Sequence, residues 1–158
     1  MCIEHEWHNY TVELAEWAMK RIVNRRDAWS QYTVSNGEIR VVMLPVPEIR
    51  KLGTDMVTID KLKRHFSGKQ PQHLIGLHSI SDHATAKWFA IDVDLHDEKA
   101  INACELARAN LTAALDWAAR LQADGFDPFV MDSNGVGGYH VWTLLDKEYP
   151  LVDVYDYA

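Results

Sequence analysis

The chain has 158 residues, the length of one domain or of the front part of a larger protein. Its hydrophobic fraction of 47% and charged fraction of 25% are those of an ordinary soluble globular chain, and no apolar run approaches the ~18 residues of a membrane span. The net charge of −7 is the wrong sign for a protein that coats itself in nucleic acid.

Local clusters soften that exclusion: Lys20-Arg21 with Arg25-Arg26, and Lys61, Lys63, Arg64 and Lys69. Acids gathered around a metal would also be offset by bound cations. The N-terminus lacks the basic-then-apolar order of a signal peptide. The two cysteines, Cys2 and Cys104, are far apart and lack metal-like spacing. The expected compartment is the cytoplasm, with no membrane association.

Taken in chain order, Thr11 to Asn24 carries apolar residues at helical period, with Thr11 as its cap. Arg25-Arg26-Asp27-Ala28-Trp29 leads into a loop with a turn signal at Ser35-Asn36-Gly37. Ile39 to Val46 reads as a strand closed by Pro45 and Pro47, and Thr58 to Phe66 as a short amphipathic helix ending at Gly68. His73 to Ile80 is expected to be another strand.

The second half is more regular. A strand over 87–95 leads through Asp97, a good N-cap, into a long alanine-rich helix over 98–124 that Gly125 ends. Phe129 to Asp132 and Tyr139 to Leu145 are two further strands. The order β-α-β-β is three quarters of an open-faced ferredoxin-like or RRM-like sheet. The helix and strand that would complete the repeat are not evident after Leu145.

Chemistry concentrates in two places. In Trp88-Phe89-Ala90-Ile91-Asp92-Val93-Asp94-Leu95 the two acids share one strand face, opposite Phe89, Ile91 and Val93. Paired carboxylates repel and lose hydration, which a divalent cation relieves; hard oxygen ligands suit Mg²⁺ or Mn²⁺. The alternative is a strand end with both acids solvated. The second place is Ser133-Asn134-Gly135-Val136-Gly137-Gly138, followed by Tyr139-His140-Val141-Trp142. Three glycines in six residues suggest backbone closely approaching a ligand, with amides forming an anion cradle; a flexible hairpin tip is the plainer reading. His140 is either part of the site or a satisfied histidine on a half-exposed strand. In an open β-α-β-β-α-β sheet the first and third strands are antiparallel neighbours, so Asp92, Asp94 and His140 would share one patch suited to a nucleoside triphosphate.

On these motifs the chain resembles the archaeo-eukaryotic primase superfamily, the catalytic cores of primases and primase-polymerases, especially those of mobile-element and conflict-system proteins. Residues 88–94 resemble its D-x-D motif of metal ligands. Residues 132–142 resemble its small-x-His motif, with Gly138 as the small residue. Residues 25–29 and the helix from Thr58 to Gly68 are similar to its N-terminal module. The likeness covers most of residues 20–146.

The resemblance implies an α+β fold: an RRM-like core over 86–146 behind a small α/β module over 1–80. Together they would make one primase-polymerase catalytic domain over 1–158, incomplete at its C-terminal end. The implied activity is template-dependent nucleotidyl transfer, the synthesis or extension of DNA or RNA primers. Asp92 and Asp94 would hold two Mg²⁺ or Mn²⁺ ions about 3.5–4 Å apart. Ser133, Asn134, Gly137, Gly138 and His140 would hold the nucleoside triphosphate, with His140 on its β- or γ-phosphate. Arg25 and Arg26 are candidates for contact with a single-stranded DNA or RNA template, or else surface ion pairs. Trp142 either stacks on a base or packs, and packing is favoured.

One departure concerns the family's third motif, an aspartate on a later strand. Asp146, Asp153 and Asp156 do not match its context. Either the chain is a piece of a longer protein, or another domain or chain supplies the third acid, or catalysis has been lost. The alternative function is therefore a non-catalytic nucleotide- or nucleic-acid-binding subunit of the same fold. A metal-dependent phosphoesterase or unrelated nucleotidyltransferase comes after it.

Overall fold

A computed structural model describes residues 7–35, 38–43, 56–95, 101–133 and 135–157. The fold is α+β, and it divides into two units, Met1–Lys87 and Trp88–Ala158.

In the first unit a 3₁₀ turn (Trp7–Tyr10) precedes helix α1 (Thr11–Arg21). The N-cap is Tyr10, with no side-chain cap bond, so Thr11 is the first helical residue rather than the cap. The helix also stops short of Asn24. Ile22 and Val23 both donate their N–H to the Ala18 carbonyl. The Asn24 side chain turns instead to the backbone of a later segment: it donates to the carbonyls of His78 (3.2 Å) and Ser79 (2.8 Å) and accepts from Lys87 N–H (3.0 Å). Asparagine bonds of this kind compete with helical pairing.

Strand β1 (Ser30–Ser35) occupies what the sequence suggested was loop. It pairs antiparallel with β2 (Glu38–Met43), Ser35 opposite Glu38; Asn36 and Gly37 of the expected turn lie outside the described residues. Residues 44–46 of the expected strand over 39–46 lie outside the described residues. Helix α2 (Ile59–Ser67) forms as expected: the Thr58 hydroxyl accepts from Lys61 N–H at 3.2 Å, and Gly68 closes the helix at φ +59°. The strand expected over 73–80 shrinks to β3 (Ile75–Gly76), which pairs with Ser30 and Gln31. A 3₁₀ turn (Pro71–His73) takes its start, and the hold of Asn24 on the 78–79 carbonyls takes its end. Ala15 and Ala18 of α1 bury against Leu62 of α2 together with Val23, Trp29 and Val57, closing this core.

The second unit is a three-stranded sheet in the order β4-β6-β5, with β4 over Thr85–Val93, β5 over Pro128–Asp132 and β6 over Tyr139–Pro150. β5 and β6 are antiparallel, Met131 opposite His140 and Phe129 opposite Trp142. Trp88 meets Trp142 while Asp92 meets His140, so β4 ascends as β6 descends. Helix α3 (Ala103–Ala123) packs Ala114, Ala118 and Leu121 on Phe89, Val141 and Leu145. It begins later than residue 98: Ile101 and Asn102 form a turn, and the Asn102 carbonyl accepts from Glu105 and Leu106. Asp97, the expected cap, lies outside the described residues. Gly125 follows the helix at φ +91°.

The tail carries more structure than the sequence suggested. β6 runs five residues past Leu145 to Pro150. Helix α4 (Leu151–Tyr157) follows directly, and Tyr157 sets its ring 5.0 Å from Phe126 and 6.0 Å from Phe89. A second helix thus joins α3 on the Phe89 side of the sheet. No helix among the described residues is long and apolar enough to cross a membrane.

Candidate functional site

The alternation of β4 delivers the expected split. Phe89, Ile91 and Val93 belong to the core under α3, while Asp92 and Asp94 are exposed. Val141 of β6 is fully buried in that same core, which turns His140 to the opposite face. There Nε2 of His140 lies 3.3 Å from Oδ1 of Asp92, with the two side chains 38% and 58% exposed. Residues from the first and last strands of the unit thus meet on the sheet face away from α3. Asp94 sits just beyond the end of β4, and its backbone carbonyl accepts from the Asn110 side chain at 3.1 Å.

Aromatic packing walls the same face. Trp142 has Trp88 on one side, centroids 4.2 Å apart, and Phe129 on the other at 6.4 Å with the rings nearly parallel. Trp142 therefore packs, as favoured. Its Nε1 is buried with no partner among the described residues.

The glycine loop departs from expectation. Ser133 donates its N–H to the Gly138 carbonyl at 3.0 Å, and Gly135 donates to the Asp132 carboxylate. Two of the loop's amides are thus spent inside the loop. Gly137 and Gly138 are buried. The close approach that requires glycine at 137 is to helix α3: a Cβ there would lie 2.4 Å from the Ala107 Cβ, at φ +108°. The closeness of Ala107 on helix α3 accounts for this glycine. Asn134 lies outside the described residues.

Arg25 and Arg26 belong to the first unit. Arg25 makes a two-pronged ion pair with Asp27, Nε to Oδ1 at 2.8 Å and Nη2 to Oδ2 at 2.9 Å. That bond raises the Arg25 pKa against the opposing effect of burial, with Asp82 assisting. The ion-pair reading of Arg25 is the one observed. Arg26 is exposed, and its carbonyl accepts from Met56 and Val57.

Among the tail acids, Asp146 lies on β6 and accepts the Tyr149 hydroxyl at 3.0 Å. Six residues of strand place it roughly 20 Å from His140. Asp153 and Asp156 lie on α4. Among the described residues no group of three or more His, Cys, Asp and Glu side chains is arranged to hold a metal.

Asp92 and Asp94 nonetheless have the donor character Mg²⁺ or Mn²⁺ requires. Both are exposed carboxylates, and neither has a lysine or arginine partner among the described residues. Mg²⁺ ordinarily takes one or two carboxylates and leaves its other positions to water and substrate phosphates. Sequence reasoning passed over Asn110, which donates to Asp94 O and also to Gly137 O at 2.9 Å. The available signal was an asparagine, a poor helix former, inside an alanine-rich helix.

No known protein family, curated protein or solved structure matches this chain.

Proposed function

We propose that the chain is the catalytic domain of a primase-polymerase, with the family's RRM-like core as its second unit, transferring nucleotides onto a growing strand on a single-stranded template. The observation that carries this reading is the 3.3 Å approach of Asp92 to His140 on one open sheet face. A carboxylate from the D-x-D strand and the histidine of the second motif are the two side chains that the resemblance requires to be neighbours.

In this mechanism Asp92 and Asp94 bind Mg²⁺ or Mn²⁺ through their carboxylate oxygens. When bound, the metal supplies Lewis acidity toward the 3′-hydroxyl and charge neutralisation at the triphosphate. His140 donates from Nε2, the nitrogen that faces Asp92 at 3.3 Å, to a phosphate oxygen once the Asp92 carboxylate is given to the metal. The open face leaves the strand and its template accessible to solvent on one side.

The test is primer synthesis and extension with Mn²⁺ on single-stranded templates. Product is expected from the wild-type chain and none from the Asp92→Ala, Asp94→Ala double variant. Product that survives the double change disposes of the proposal.

A second reading is favoured by the place of Asp146, roughly 20 Å along β6 from His140 and so away from the Asp92 carboxylate. On it the chain is a non-catalytic nucleotide-binding subunit completed by another chain that supplies a further acid. It gives triphosphate binding dependent on His140 without turnover.

A further inference from the structure

We infer that Asn110 is a positioning residue of the nucleotide site, tying the glycine loop to the end of the D-x-D strand; this rests on the reading proposed above. A carboxamide nitrogen carries two hydrogens, and here each has its own carbonyl: Asp94 O at 3.1 Å and Gly137 O at 2.9 Å. The first carbonyl belongs to the second acid of the motif. The second lies three residues before His140. One side chain thus spans two segments that the sheet leaves independent, because neither Asp94 nor Gly137 lies in a strand.

Helix α3 adds a steric element from the same face. Ala107 lies one turn before Asn110, and its Cβ occupies the space that a side chain at 137 would need, with Leu95 closing the other side at 3.5 Å. Ala107 and Leu95 fix how near the loop sits, and Asn110 fixes its register. An isosteric carboxylate has no hydrogen to give at neutral pH and would turn negative charge toward two carbonyl oxygens.

Isothermal titration of the full chain with a nucleoside triphosphate and Mn²⁺ tests this, on wild type, Asn110→Asp and Asn110→Gln. Asn110→Asp keeps the shape of the side chain; Gln keeps the donor on a longer stem. Asn110→Asp is expected to bind about tenfold more weakly or worse, the loss of two ordinary hydrogen bonds, with Gln recovering part of the affinity. A fold defect is read separately from circular dichroism, and a merely structural role would not give the partial rescue by Gln. Unchanged affinity in a folded Asn110→Asp overturns the inference.

If the wild-type chain binds no triphosphate, it is the nucleotide-site reading that fails. Backbone amide shifts of Asn110→Asp then decide the positioning role. Shifts at both 94–95 and 137–140 support it, and shifts confined to α3 overturn it.

Discussion

Tyr157 donates its hydroxyl to the Asp124 carboxylate at 2.6 Å, joining the last turn of α4 to the residue that caps α3. Chiefly through that hydrogen bond, with minor help from desolvation and the nearby charge, the phenol is pushed up to about 12 from an ordinary 10.0. The folded chain therefore holds this proton more tightly than the unfolded one. The contribution is fully present below pH 10 and disappears as pH rises from there to about 12. Tyrosinate absorbance should show one late-titrating group that Tyr157→Phe removes, and Tyr157→Phe should be less sensitive to alkaline unfolding across that window. Tyr157 is 44% exposed, so solvent screening keeps the effect on stability small.

Histidine 65 gives the opposite slope in the first unit. Burial pushes its pKa below the ordinary 6.5, and the Ile75 N–H approaches its Nδ1 at 3.4 Å, a contact suited to the neutral ring. The unfolded chain then binds this proton more readily, so stability falls as pH drops below 6.5 through the folded value. His78 works in the same direction through burial and the nearby Arg25. Urea unfolding on either side of pH 6.5 should show the loss on the acid side, and His65→Gln should flatten the slope.

Gly137→Ala and Gly135→Ala separate packing from backbone strain. Both glycines have positive φ, +108° and +75°, but only position 137 faces Ala107; nothing lies within 4 Å of a Cβ at 135. Gly135→Ala is expected to cost about 1 kcal/mol from conformation alone. Gly137→Ala adds a clash with a helix and is expected to cost about 3 kcal/mol. Equal losses in urea denaturation would show that the approach to α3 is unimportant.

Much of the second unit was legible because its period is clean. Apolar residues at 89, 91 and 93 and at 141 and 145 fixed which faces Asp92 and His140 take, and strand order then brought the two together. Thr58 and Gly68 marked their helix through local bonds that depend on nothing distant. The failures have a common cause: competition from partners far along the chain. Asn24 ends α1 by bonding to residues 78 and 79, and the same bonds shorten the strand expected there. The glycine loop read as a ligand cradle because sequence shows that backbone must approach something closely, without showing what. Here that something is Ala107. Strand β1 was missed although Asn36-Gly37 is a strong hairpin signal, because Ser-Gln-Tyr-Thr-Val-Ser carries little apolar alternation.

The indoles of Trp88 and Trp142 stand 4.2 Å apart at a tilt of 33°, one on each of two adjacent strands. Chromophores this close and skewed share their excitation, and the shared transition splits into two bands of opposite rotational sign. The protein therefore carries its own optical gauge of whether β4 and β6 are zipped together: a circular dichroism couplet that vanishes in Trp142→Phe and collapses when the two strands part, even while the helices still absorb as helices.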